Sequence, residues 1–188
     1  LYKDVTGLMT HHADSYLTAE IPADGNYYIQ LSDAQNQGGK AYAYRLRISK
    51  PMPDFAIRMT PSTLNIRPGS NAVFNVYIMR TDGFDGEIKV SLKNAPNGFT
   101  LAGNIIPAGK DNIQMTIRLP RDTVEKPVSL QLEASAKIND KVITHNIVPC
   151  EDMMQAFLYR HLVPSQKLIV NPMNVRWPSL PYEYAGDS

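Results

Sequence analysis

Hydrophobic and polar residues alternate along most of this chain, and a period of two predicts strands rather than helices. Three such stretches lie in the first part of the chain, at residues 16–22, 27–31 and 42–49. A turn at residues 23–26, with Gly25, and a polar loop at residues 33–40 separate them. The pattern therefore predicts a three-stranded sheet with one apolar face.

A second run of strands follows Pro51-Met52-Pro53, where two prolines interrupt the alternation. It starts with a strand that is kinked at Pro61. Further alternating stretches lie at residues 74–78, 88–92, 99–101, 113–119, 128–136 and 141–148. Seven strands in about 100 residues are typical of an immunoglobulin-like β-sandwich. The cysteine–tryptophan–cysteine core of antibody domains is absent, so we expect aliphatic side chains with Phe74 and Phe99 to fill the interior.

The pattern changes at residues 151–162, EDMMQAFLYRHL, which begin with acidic and end with basic side chains. This polarity suits a helix dipole, so we predict a helix of about three turns that Pro164 ends. A strand is the alternative. Residues 166–170 predict one more short strand. The tail that follows carries three prolines, and we expect an extended arm on another surface or partial disorder.

Composition narrows the classes of function. The 188 residues include 19 basic and 18 acidic side chains, and a net charge of +1 favours neither nucleic acid nor an anionic membrane. No apolar run approaches the roughly 20 residues of a membrane span, and no signal peptide is visible. Cys150 is the only cysteine, which excludes an intrachain disulfide. The chain begins at Leu1 within patterned sequence, so we expect a piece of a longer protein.

Two families share features with this sequence. DSYLTAEIPADGNYYIQLSD and GGKAYAYRLRI, within residues 14–50, resemble the second half of a bacterial pre-peptidase C-terminal (PPC) domain. Residues 55–149, including RPGSNAVFNVYIMRTDGFDGEIKVSLKNAPNGFTL, are similar to the immunoglobulin-like module that follows such domains in large secreted bacterial proteins. The resemblance implies a non-catalytic appendage, sometimes with a calcium or carbohydrate role. It assigns no binding residue in this chain.

The predicted organisation has three parts: a partial PPC-like β domain at residues 1–50, the sandwich at 54–149, and a C-terminal extension at 151–188. Only the later strands of a PPC domain are present. An isolated three-stranded sheet would leave its apolar face in water. We expect residues 151–180 to fold back over that face; an upstream segment or a second copy of the chain is the alternative.

Aromatic side chains provide the candidate ligand contacts. Tyr28 is placed outward by the alternation of its strand, and a tyrosine exposed on a flat sheet can stack on a sugar ring. Cross-strand packing is the more common role of such residues. Trp177 lies in the aromatic tail, where an anchor between domains is a more common role than a ligand contact.

Candidate polar sites are weaker. Asp82, Asp85 and Glu87 could offer oxygen ligands to calcium, but their spacing is not that of an EF-hand, and an ordinary acidic turn has the same composition. Asp33 with Asn36 is similar. His11-His12 point to opposite sides of a strand and have no partner spacing for a metal. No spacing for nucleophilic catalysis or a cofactor stands out.

These features favour a non-catalytic structural or interaction module of a larger exported bacterial protein, located outside the cell or in the periplasm. The expected partners are the other domains of that protein. The alternative is a carbohydrate-binding module that contacts polysaccharide through the tyrosines of the first sheet. An enzyme ranks third, because no catalytic constellation is visible.

Overall fold

The computed structural model describes residues 8–9, 15–121, 126–155 and 159–173. Its strands are β1 (Leu8–Met9), β2 (Asp54–Thr60), β3 (Thr63–Ile66), β4 (Asn71–Thr81), β5 (Ile88–Lys93), β6 (Thr100–Ala102), β7 (Ile105–Ile106), β8 (Asn112–Arg118), β9 (Val128–Ile138), β10 (Lys141–Asn146), β11 (Val148–Gln155), β12 (Tyr159–Pro164) and β13 (Leu168–Pro172). No helix forms within these described ranges.

The strands form two sheets. One has the order β1-β12-β11-β2-β4-β8-β6, and the other has the order β3-β13-β9-β5-β7 with β10 also paired to β9. Neighbours are antiparallel except for the pairs β1–β12, β2–β11 and β3–β13, which are parallel. One cluster of buried side chains draws on both sheets, so the sheets face each other. The predicted all-β sandwich is confirmed.

Alternation decides which side chains enter the core. In β4, Phe74, Val76 and Ile78 are buried between the sheets, and Phe74 is only 1% exposed. Phe99 joins the same cluster and is 8% exposed. Both phenylalanines therefore occupy the interior, as predicted. Burial of this kind supplies most of the stabilisation of a domain without disulfides.

The kink predicted at Pro61 transfers the chain from one sheet to the other, because β2 lies in the first sheet and β3 in the second. The peptide bond between Thr60 and Pro61 is cis. Ser62 follows and is buried, and its N–H donates to Glu151 Oε1 at 3.0 Å. Its hydroxyl donates to the same oxygen. This carboxylate satisfies polar groups that would otherwise be buried without partners.

The helix predicted from residue 151 is wrong. Residues 151–155 belong to β11 and residues 159–164 to β12, and the two strands pair as an antiparallel hairpin; residues 156–158 lie outside the described ranges. Arg160 Nε donates to Asp152 Oδ1 at 3.0 Å. The acidic start and basic end of the stretch therefore attract each other across the hairpin rather than along a helix axis. The strand alternative is the one observed.

The described part of the C-terminal extension completes the sandwich. The first residues of β11, Val148 and Pro149, pair in parallel with β2 in the first sheet. β13 lies between β3 and β9 in the second sheet. β13 confirms the strand predicted at residues 166–170. The two-residue strand β1 pairs with the outer edge of β12. The sandwich thus extends beyond residue 149, and within the described ranges residues 151–172 build its sheets instead of a layer over residues 16–49.

The three strands predicted in the first part of the chain do not form, because residues 15–50 contain no strand and every one of them is exposed. Turns do form in the predicted loop at residues 33–40 and at its end: the N–H of Asn36 donates to Asp33 O at 2.9 Å, and that of Tyr42 donates to Gly39 O at 3.0 Å. A local pattern can set a turn, but a strand needs a neighbour that satisfies its backbone. The structure shows no such neighbour among the described residues.

Candidate interaction surface

Residues 15–50, called the exposed segment below, carry the largest group of apolar side chains that the described residues leave in water. Nine apolar side chains at the predicted inward positions are 50–87% exposed. They are Leu17, Ile21, Tyr27, Ile29, Leu31, Tyr42, Tyr44, Leu46 and Ile48. Isolated exposed apolar residues are normal, whereas a group of this size on one segment makes that segment the candidate interaction surface.

Local hydrogen bonds shape the turns of the exposed segment. Asp33 accepts the backbone N–H of Gln35 at 2.9 Å and that of Gln37 at 3.3 Å on one carboxylate oxygen. The hydroxyl of Tyr42 donates to Gln37 Oε1 at 2.5 Å. Asn36 adopts a positive φ of 57°, which asparagine tolerates better than most residues. Asp33 therefore acts as a turn former here, not as a free metal ligand.

Asp82 joins both ends of the exposed segment to the sandwich. The hydroxyl of Tyr16 donates to Asp82 Oδ1 at 2.5 Å, and the backbone N–H of Met52 donates to Oδ2 at 2.6 Å. Asp82 lies in the turn that follows β4, with a φ of 51°. Tyr16 stands at the start of the segment and Met52 just after its end. One carboxylate therefore holds the two ends together at one point of the sandwich.

The pKa of Asp82 lies below its ordinary value of 3.8. The hydrogen bond from Tyr16 lowers it most, the N–H of Met52 lowers it further, and the positive charge of Arg47 adds to both effects. Partial desolvation opposes these contributions. Because all three favourable partners stabilise the charged form, the attachment depends on an ionised carboxylate.

The acidic turn considered as a calcium site is organised around Arg80 instead. The guanidinium donates to Gly86 O at 2.8 Å and to Pro107 O and Lys110 O, both at 3.2 Å. Its Nε lies 3.5 Å from the carboxylate of Asp111 and 3.9 Å from that of Asp85. Among the described residues, no group of three His, Cys, Asp or Glu side chains could hold a metal ion.

The ring of Phe84 packs against this guanidinium. The central carbon of Arg80 lies 5.2 Å from the ring centre of Phe84, within the range of a cation–π contact. Phe55 contacts Phe84 at 5.5 Å between ring centres and His145 at 5.0 Å, edge to face with the latter. Arg80, with a side chain that is 10% exposed, thus ties two loops to one end of the sandwich.

The histidines and the cysteine have separate structural surroundings. His145 Nε2, on β10 of the second sheet, lies 2.7 Å from Asp54 Oδ1, on β2 of the first sheet. Cys150 is fully buried beside Tyr77 and Leu162, and its thiol donates to Val148 O at 3.5 Å. Burial raises the pKa of Cys150, Arg58 partly offsets this, and Glu151 adds to the increase. His161 lies in β12, and His11 and His12 lie outside the described ranges.

Tyr28 is the most exposed large apolar residue in the described part of the chain, at 95%. Tyr16 and Tyr44 are also largely in water, at 73% and 75%. Since no sheet forms beneath them, these rings do not share a flat platform. The ligand role of Tyr28 stays a prediction, and Trp177 lies outside the described ranges.

Sequence reasoning missed both polar centres of the structure. Tyr16 and Asp82 are far apart in the chain, as are Arg80 and the carbonyls of Pro107 and Lys110. A single sequence offers no periodic signal for such pairs. The acidic turn that contains Asp82 and Asp85 is the available hint, because its glycines bring backbone carbonyls within reach of a side chain.

Comparison with protein-family models gave no match, and neither did comparison with curated proteins. Within the described ranges, no helix has the length and apolar character needed to cross a bilayer.

Proposed function

We propose that this chain is a non-catalytic interaction module of a larger exported bacterial protein. In this proposal the sandwich is a rigid support, and the exposed segment is the part that a partner covers. The observation that carries it is the set of nine strand-patterned apolar side chains that are 50–87% exposed on a segment fixed at both ends. Location outside the cell or in the periplasm follows from the resemblance to PPC and immunoglobulin-like modules.

The support has the properties that such a role needs. A continuous core connects both sheets, and Arg80 and Asp82 fix the loops at the end of β4. Because the two ends of the exposed segment meet at Asp82, less conformational entropy is lost when a partner binds than for a chain with a free end. The other domains of the larger protein are the expected partners.

The test separates the exposed side chains from the core. The variant Leu17→Ser/Ile29→Ser/Leu46→Ser is compared with the native chain and with a control, Thr18→Ala/Gln30→Ala, on the opposite face of the same stretches. In dilute solution, we expect the fluorescence of an added hydrophobic dye to fall by about half or more for the serine variant and to stay unchanged for the alanine control. Both variants should melt within about 5 °C of the native chain.

Two results would contradict the proposal. A large fall in melting temperature of the serine variant would show that these side chains belong to the core. Unchanged dye binding would show that they form no accessible apolar surface.

Carbohydrate binding is the second candidate, and the 95% exposure of Tyr28 is the observation that favours it. A ring this accessible can stack on the apolar face of a sugar. Tyr28→Ala should weaken retention on insoluble polysaccharide by about tenfold, whereas Gln30→Ala should not, if one ring supplies about 1.4 kcal/mol. Equal retention of both variants, or no retention of the native chain, would exclude this role.

A further inference from the structure

We propose that a second copy of this chain, rather than another domain of the larger protein, covers the exposed segment. The proposal deepens the interaction role above and rests on it. In the pair, the predicted strands of two exposed segments hydrogen-bond and bury their apolar faces against each other, while the two sandwiches stay outside the contact.

The backbone of the exposed segment is available for such pairing. Among the described residues, its internal backbone hydrogen bonds are the two turn bonds at Asn36 and Tyr42. The stretches at 16–22, 27–31 and 42–49 therefore present strand-length rows of donors and acceptors. Unpaired rows of this kind are templates for another strand.

The apolar area matches what a stable pair needs. Each of the nine exposed apolar side chains offers roughly 100 Å², so one segment presents on the order of 900 Å², close to the ~800 Å² that each partner buries in a typical specific complex. Pairing within one chain alone cannot cover this area, because a lone three-stranded sheet keeps its apolar face in water. A second copy supplies an identical face, and two such faces make the two layers of a sandwich.

The distribution of charge makes the segment complementary to itself. Residues 15–33 contain three acidic side chains, Glu20, Asp24 and Asp33, and no lysine or arginine. Residues 34–50 contain four basic side chains, Lys40, Arg45, Arg47 and Lys50, and no aspartate or glutamate. A two-fold axis places the acidic half of one copy against the basic half of the other, and does so twice. Such a contact is isologous, so it closes at two copies instead of growing into a fibre.

The attachment at Asp82 favours a pair over aggregation. Tyr16 and Met52 bind the same carboxylate, so the segment leaves the sandwich and returns to it at one place. The segment is thus a closed loop beside a folded domain of the same chain. The bulk of that domain restricts which strands of another copy can approach.

The experiment measures the mass of the full chain by sedimentation equilibrium from about 1 to about 100 µM, a range that covers typical weak to moderate dimers. The native chain should form a closed dimer that dissociates on dilution. Lys40→Glu/Arg45→Glu/Arg47→Glu changes the net charge of residues 34–50 from +4 to −2, and Glu20→Lys/Asp24→Lys changes that of residues 15–33 from −3 to +1, so each variant has two halves of like sign. Each variant alone should weaken the dimer at least about tenfold, and an equimolar mixture of the two should restore it.

Thermal melting of each variant confirms that its sandwich is folded. A native chain that stays monomeric over the whole range, charge variants that dimerise as the native chain does, or an open series of higher oligomers would overturn the proposal. If the native chain is monomeric but the serine variant still loses dye binding, the interaction surface stands and its partner is another polypeptide. Failure of the two proposals is therefore distinguishable.

Discussion

At the scale of the residue, Asp82 connects three parts of the chain. It accepts one hydrogen bond from the start of the exposed segment and one from the link that follows it, and it sits in the turn after β4. Its φ of 51° is one that aspartate and asparagine accept more readily than most residues. Asp82→Asn therefore keeps the turn while removing the charge that both donors stabilise.

We predict that the attachment of the exposed segment depends on pH through Asp82. Its pKa is lowered in the folded chain, so the attachment is at full strength above the ordinary value of 3.8 and is lost as the pH falls through the lower folded value. The Met52 amide, which donates to Asp82, should lose its protection against hydrogen exchange at that acidic limit, measured relative to the intrinsic rate at the same pH, and Asp82→Asn should show this loss already at neutral pH. Asp85→Asn is the matched control. Identical exchange in native chain and Asp82→Asn would contradict the attachment.

Cys150 gives a second prediction at this scale. The thiol is fully buried, and burial raises its pKa, so little of the reactive thiolate is present near neutral pH. We expect the native chain to react with a thiol reagent only as fast as it unfolds locally, and the unfolded chain in denaturant to react at once. Alkylation followed by mass spectrometry measures both rates. A fast reaction in the native chain would mean that β11 opens readily.

At the scale of the element, Arg80 links the loop after β4 to the loop before β8. Three carbonyl groups share its guanidinium, so replacing it leaves them without that donor. Arg80→Met keeps the aliphatic stem, and we expect it to lower the free energy of unfolding by roughly 2–3 kcal/mol. Asp85 is largely exposed, so Asp85→Asn should cost less than about 1 kcal/mol. Chemical denaturation compares the two, and equal losses would show that Arg80 acts only through its ion pairs.

The elements also show what a single sequence can predict. β4, β8 and β9 are predicted well, because their alternation agrees with the face that the opposing sheet buries. The hairpin of β11 and β12 is missed, because its Met, Gln, Ala and Leu residues are good helix formers and its charges suit a helix dipole. Tertiary pairing decides the outcome there: Cys150 and Leu162 are buried together in one cluster.

In the exposed segment the prediction fails in the opposite way, because strands are predicted and none forms. Its alternation is as regular as that of β8, yet no strand forms, since a strand depends on a neighbour that the local pattern does not contain. The turns form because Asp33 and Gly39 act within a few residues. Of the candidate surface, the sequence could therefore predict which apolar side chains it carries, but not that all of them would stay in water. It could not predict Asp82 or Arg80 as contact centres, because their partners are distant in the chain.

At the scale of the whole molecule, the two ends of the chain have opposite relations to the sandwich. β13 lies inside the second sheet, between β3 and β9, and buries Leu168 and Val170 in the shared core. The exposed segment contributes no side chain to that core. We predict that a chain starting at Pro51 folds and melts within about 5 °C of the full chain in dilute solution. A chain ending at Pro164 loses β13 and should not fold cooperatively.

Circular dichroism and calorimetry of the two truncated chains test this asymmetry. Removal of β13 exposes the edges of β3 and β9 and leaves an apolar gap, and each large side chain lost from a core costs about 2–5 kcal/mol, so two of them remove most of the stability of an ordinary domain. Removal of residues 1–50 takes away the short pair between β1 and β12 and the exposed hydrogen bond from Tyr16 to Asp82. If the N-terminal truncation also unfolds the chain, the exposed segment is part of the folding unit. If the chain ending at Pro164 melts like the full one, the second sheet does not need its C-terminal strand.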